Sequence, residues 1–167
     1  MLDTIFGLPV HPLIVHATVV LVPTAAFLVA LAAVYPRFRA WIGPVPAIAA
    51  LAACVLVPLS TSSGEELQHH VGDSSLVEKH AELADTLIWL VLPLALVAVV
   101  GWWVHRRSST GAGAGRGAVA AVAVASVLLA GGTLVDVVLI GHSGAKAAWT
   151  GVAHQKSSDG SSSGDSD

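Results

Sequence analysis

Four long apolar stretches limit what this chain can fold into. They run over Leu13–Tyr35, Ile42–Ser60, Leu83–Val104 and Ala118–Ile140, and none holds a Lys, Arg or Glu. Each is close to the ~20 residues that cross ~30 Å of hydrocarbon at ~1.5 Å per residue. Lipid offers the backbone no hydrogen-bond partner, so runs of this length span it as helices. A β-barrel would need short alternating segments instead. Only 11% of the 167 residues are charged, against about 25% in an ordinary soluble domain. Too few polar groups remain to coat a soluble fold. The expected class is all-α: an integral membrane four-helix bundle, with the lipid bilayer as its first partner.

The charges sort by side. Arg37 and Arg39 lie in the link Pro36–Trp41, and Arg106, Arg107 and Arg116 in the link 105–117; neither link holds an acid. All 11 acids and the three lysines fall on or near the opposite side. By the positive-inside rule the arginine links are cytoplasmic, and both termini and the middle loop face outward. The net charge of −3 argues against a nucleic-acid partner, which calls for a basic excess. A single cysteine excludes a disulfide framework and a thiolate cluster.

Local signals set expected helix ends. Pro12 suits a first helical position, with His11 extended before it. Ser75-Leu76-Val77-Glu78 reads as a capping box opening the third helix. Gly141 is placed to stop the fourth. Residues 1–156 then form one domain, and 157–167, all Ser, Gly and Asp, a disordered outer tail. Ala30-Leu31-Ala32 resembles a signal-peptidase site, but the run before it lacks a basic flank and Arg37 and Arg39 follow it. The lipoprotein-like Leu51-Ala52-Ala53-Cys54 sits inside the second span, where Cys54 reads as a buried small thiol. Trp41, Trp102, Trp103 and Trp149 suit belt anchoring. Pro23 and Pro93 lie within spans, where proline is tolerated.

Seven of the eight histidines map to the outer half; His105 alone is on the inner side. His11 and His16 begin the first span, His80 stands near the start of the third, and His142 follows the fourth. Asp136 lies inside the fourth, about one and a half turns before His142. An acid within a span usually faces the bundle interior with a partner, and Gly132 and Thr133 beside it make a small face suited to close contact. Asp136 therefore reads either as a ligand or proton acceptor, or as a hydrogen-bonded lock between helices. His11 and His16 stand about 140° apart on a helix, so they converge only if His11 is in an extended entry segment.

The five candidates for a haem or metal site are His11, His16, His80, His142 and Asp136. Secondary candidates are Glu65 and His70 in the middle loop Gly64–His70, Asp85 on the third helix, and Lys146, which could meet a haem propionate. Glu78, Glu82 and Asp85 share one face, read as a stripe at headgroup level. One bis-histidine site at most is supported, since His105 alone cannot build a second. Bare Zn²⁺, Cu²⁺ or Fe²⁺ would take three or four His and Asp ligands.

The strings Phe6-Gly7-Leu8-Pro9-Val10-His11-Pro12-Leu13-Ile14-Val15-His16, Ser63-Gly64-Glu65 and Gly141-His142-Ser143-Gly144-Ala145-Lys146 resemble signatures of one family. It is a bacterial four-span membrane family described only as a domain of unknown function, DUF2231, and the resemblance covers Leu2 to Trp149. It implies the fold, the topology and a bacterial cell membrane, but no activity. Some relatives are joined to Rieske iron–sulfur domains, which implies a redox setting; with one cysteine, these 167 residues carry no such cluster. The leading expectation is one outer-face site binding haem b or a transition metal, in a small redox or metal-handling component with a membrane partner. The alternatives are a non-enzymatic scaffold or assembly subunit and a pH-responsive carrier using Asp136 with a histidine. No serine or cysteine nucleophile is paired with a base, so hydrolysis is not expected.

Overall fold

The computed structural model describes residues 4–5, 8–71, 74–109 and 115–161, with side chains at 12–66, 74–107 and 115–149. A two-residue antiparallel ladder, β1 (Thr4–Ile5) with β2 (Leu8–Pro9), precedes five helices. These are α1 (Val10–Val34), α2 (Pro36–Ile42), α3 (Val45–Val71), α4 (Ser75–Ser109) and α5 (Arg116–Ser161). All but α2 are long and apolar enough to cross a membrane, with mean hydropathy of 1.9 to 2.4 over their spanning windows. The chain is a multi-pass membrane protein, and the expected all-α four-helix bundle is what it builds.

Helix α1 packs on α3 and α5, and α4 packs on the same two, while the α1–α4 diagonal touches little. Short connections make neighbours antiparallel, giving an up-down ring in the order α1, α3, α4, α5. One end of the ring carries the arginines with His105, and the other carries His16, His80 and His142. The interior is layered. Toward the arginine end it is mostly alanine: Ala25, Ala26, Ala47, Ala50, Ala95 and Ala130 surround Leu94. Toward the histidine end Val22, Val57, Leu87 and Val91 take over. Small residues let helix backbones approach closely where lipid supplies no hydrophobic drive for association. The outward faces bear Val20, Leu96, Leu128 and Val138, side chains that match hydrocarbon.

Hydroxyls inside the spans bond to their own preceding turn. Thr133 donates to Leu129 O at 2.8 Å, Ser126 to Val122 O at 2.8 Å and Thr18 to Ile14 O at 2.9 Å. Such back-bonding leaves no bare donor in lipid. Two weaker ties cross between helices: Thr18 Oγ1 lies 3.5 Å from Leu56 O, and Cys54 Sγ 3.6 Å from Val91 O.

Several helix ends differ from the sequence reading. Segment 64–70, expected as a loop, continues α3 to Val71. It is polar, so it leaves hydrocarbon, but nothing in it breaks a helix strongly enough to end α3. Gly141 does not stop the last helix: α5 runs through it. A mid-helix glycine costs only ~1 kcal/mol, and among the described residues positive φ is confined to Gly43. The first helix begins at Val10, so His11 is helical and the extended entry that would let it converge with His16 is not formed. The link 36–41 is itself helical, as α2, with Pro36 in its first turn. Gly43 then turns the chain at φ +59°, a left-handed conformation that glycine adopts without strain. The tail expected to begin at Ser157 is still helical as far as Ser161, and residues 162–167 lie outside the described residues.

The cap of α4 is shifted by one residue. Ser74, not Ser75, occupies the cap position: its Oγ accepts the Val77 N–H at 3.3 Å, and its carbonyl accepts from Glu78 N at 3.0 Å. Ser74→Ala should lower stability by about 1 kcal/mol, and Ser75→Ala by a few tenths, in detergent unfolding followed by circular dichroism. The reverse order would return the cap to Ser75.

Candidate functional site

The histidine-bearing end is organised by a contact between α4 and α5. His80, half-buried on α4, places Nδ1 3.0 Å from Ser143 Oγ and 3.1 Å from Ile140 O, both on α5. Proton accounting favours one tautomer, the one that satisfies both contacts. The Ser143 hydroxyl donates its only hydrogen to Ile140 O at 2.8 Å, and a carbonyl has none to give. The hydrogen between His80 and this pair therefore sits on Nδ1. In the neutral ring, Nε2 then carries the free lone pair.

Gly144 makes room for this ring. A Cβ there would stand 2.9 Å from His80 Cε1, closer than real Cβ atoms come, and 3.2 Å from Nδ1. The imidazole thus lies against bare α5 backbone. Lower down, Gly132 faces Leu90 Cδ2, which a Cβ would meet at 3.6 Å, and Thr133 is fully buried. The small face expected beside Asp136 is the place where α5 meets α4.

Asp136 is 8% exposed. Both its oxygens lie 3.4 Å from Thr86 Oγ1 on α4, whose hydroxyl also reaches Leu83 O at 2.7 Å. One hydroxyl proton serves all three acceptors, so the Asp136 contact is long and shared. Asp136 stands seven residues before Ser143, ~10 Å along the helix. His80 and Asp136 therefore occupy different levels of the same α4–α5 seam.

The remaining candidates are more dispersed. His16 is exposed on α1, with Nδ1 2.5 Å from Pro12 O. That contact also places its hydrogen on Nδ1 and leaves Nε2 outward. His142 and Lys146 are exposed on α5, Glu65 on the polar extension of α3, and Asp85 on α4. Glu78, Glu82 and Asp85 form the exposed stripe that their spacing indicates. The side chains of His11 and His70 lie outside the described residues. Among the described residues no three His, Cys, Asp or Glu side chains gather as a metal-binding group.

Sequence reasoning missed Ser143, Gly144 and Thr86. The first two sit in the string Gly141–Lys146 that carried the resemblance, but nothing in one helix announces the residue it meets on another. No curated protein and no solved structure matches this chain significantly. The model of a family described as a predicted membrane protein, DUF2231, matches residues 7–157. A match over nine-tenths of a four-span bundle shows that the chain belongs to that family.

Proposed function

We propose that the histidine-bearing end is a ligand site for haem b or a transition metal, with His80 Nε2 as its primary ligand atom. The supporting observation is the locked His80 ring. Metal-bound histidines almost always donate their other ring N–H to a carbonyl, carboxylate or water, which fixes tautomer and aim. His80 has this arrangement, with Nδ1 held by Ile140 O and Ser143 Oγ on the neighbouring helix. Haem needs only one or two axial imidazoles, whereas a bare ion such as Zn²⁺ takes three or four protein ligands. The described side chains suit haem better. His16, His142 and His11 are candidates for a second ligand, and Lys146 for a propionate. Bound haem would supply one-electron chemistry, so the protein would serve a redox component of a bacterial cell membrane, with the site on the outer face.

A second reading has an observation of its own. The Thr86–Asp136 contact ties α4 to α5, which favours Asp136 as a lock in a non-enzymatic scaffold or assembly subunit. Interhelical hydrogen bonds in membranes average ~0.6 kcal/mol, a modest bias toward one register.

The two readings separate on one preparation. The full chain is purified from membranes in mild detergent, supplemented with haem or metal, and its visible spectrum and metal content recorded. A Soret band is expected, absent in His80→Ala and with affinity weakened about 10-fold or more in Ser143→Ala. Stoichiometric metal without a Soret band would select the bare-ion form. A colourless, metal-free, folded protein after supplementation would refute the ligand site and leave the scaffold.

A further inference from the structure

At the opposite end of the bundle a cavity of about 120 Å³ opens among all four spanning helices. Its walls are mostly small and apolar, Val29 and Ala32 on α1, Ala47 on α3, Gly101 on α4 and Ala123 on α5, with the Trp102 ring of α4 beside them. Three polar residues join them, Arg39, His105 and Ser126. Ser126 has its hydroxyl committed to Val122 O. Arg39 is different. It is carried on α2, and its Nη1 reaches Ala32 O at 3.3 Å while its Nε is buried with no acceptor.

Three arginines at this end differ in their surroundings. Arg106 and Arg107 lie over the rings of Trp102 and Trp103, 5.6 Å and 3.9 Å from the centroids. That pairing suits an interfacial belt. Arg39 instead borders the cavity. A guanidinium presents a planar fork of donors that matches a carboxylate or phosphate. The adjoining space is apolar and of the order of the ~150 Å³ cavity that holds a benzene ring in a well-studied soluble protein. A single molecule with an oxyanion at one end, held by the part of the Arg39 guanidinium that lines the cavity, and a short apolar body at the other fits both the cation and the walls.

We infer that this cavity binds a small anionic amphiphile. Its carboxylate or phosphate meets Arg39, with His105 as a second donor, and about six carbons or one ring fill the Val/Ala/Gly walls. The oxyanion chemistry is common to a free short-chain acid and to an anionic phospholipid. The site is separate from the histidine end and stands whether or not haem binds there.

The test uses the full chain in a non-ionic detergent. Calorimetric titration with hexanoate should show one saturable site per chain, with hexanamide binding at least about tenfold more weakly. Arg39→Gln should weaken hexanoate about tenfold or more, as loss of a charged hydrogen bond does, while Arg39→Lys retains part of the affinity. Ala123→Leu should abolish binding by filling the space. If that variant fails to fold, Arg39→Gln, altered on α2 at the cavity mouth, carries the comparison. His80→Ala should bind hexanoate like the wild type.

Native mass spectrometry distinguishes the sources. A co-purifying phosphatidylglycerol that hexanoate displaces, and that Arg39→Gln loses, identifies the lipid form. Its absence alongside hexanoate binding identifies the free acid. Failure of hexanoate, inorganic phosphate and phosphatidylglycerol to saturate the wild type would overturn the proposal. So would equal binding by wild type, Arg39→Gln and folded Ala123→Leu.

Discussion

Ala50→Leu should lower the unfolding free energy by about 1–3 kcal/mol or more, while Leu51→Ala, one residue along, should change it by less than ~0.5 kcal/mol. The order runs against side-chain size, and the bundle explains why. Ala50 is 0% exposed, within the alanine layer formed with Ala25, Ala26 and Ala130. Close packing leaves no room there for three more carbons, so α1 and α3 would have to separate. Leu51 is 51% exposed and faces hydrocarbon. A lipid-facing leucine stays in an apolar medium whether the helices are associated or apart, so its transfer free energy largely cancels. Equilibrium unfolding in mixed micelles reads both variants. Equal losses at the two positions would contradict the alanine layer as the α1–α3 contact.

That contrast marks where the sequence is legible. The four spans can be read because hydropathy is local: each run reports its own solvent. The end of a span is not the end of a helix, however. Glu65, Glu66 and His69 carry charge or polarity that leaves lipid, yet α3 continues to Val71, and α5 passes Gly141 because one glycine costs a helix only ~1 kcal/mol. Partnerships across helices are harder still. A helix apolar on all sides has no stripe to set its rotation, so the spacing of His80 could not indicate Ser143 or Gly144. Asp136 was visible as an acid in a span, but its partner Thr86 depends on how α4 and α5 are offset. Arg39 misled in another way. It marks a side by its charge, as arginines flanking spans do, but α2 brings it back over the mouth of the bundle. The rule that reads orientation treats it as solvated and does not reveal the cavity.

Orientation itself should appear as an all-or-none difference in labelling. In a Cys54→Ser background, Glu66→Cys should react with a membrane-impermeant maleimide on intact cells, and Arg107→Cys only after the membrane is opened. Arg37, Arg39, Arg106, Arg107 and Arg116 all stand at one end of the antiparallel ring. Translocating an arginine through the centre of the bilayer costs ~2.5–3.5 kcal/mol or more, and reversing the bundle would export all five. The 23 residues of the first spanning window and the 22 of the second leave little slack for a different placement in ~30 Å of hydrocarbon. Trp41 and Trp103, both exposed, lie at the arginine end, where a belt belongs. Labelling in the opposite sense would invert both proposals without disturbing a helix contact. His80 would then face the cytosol and draw its ligand from inside, and the Arg39 cavity would face out toward external acids and lipid. The expected sense instead gives Arg39 the cytosol and cytoplasmic leaflet as its source, and leaves His80 to be loaded from outside.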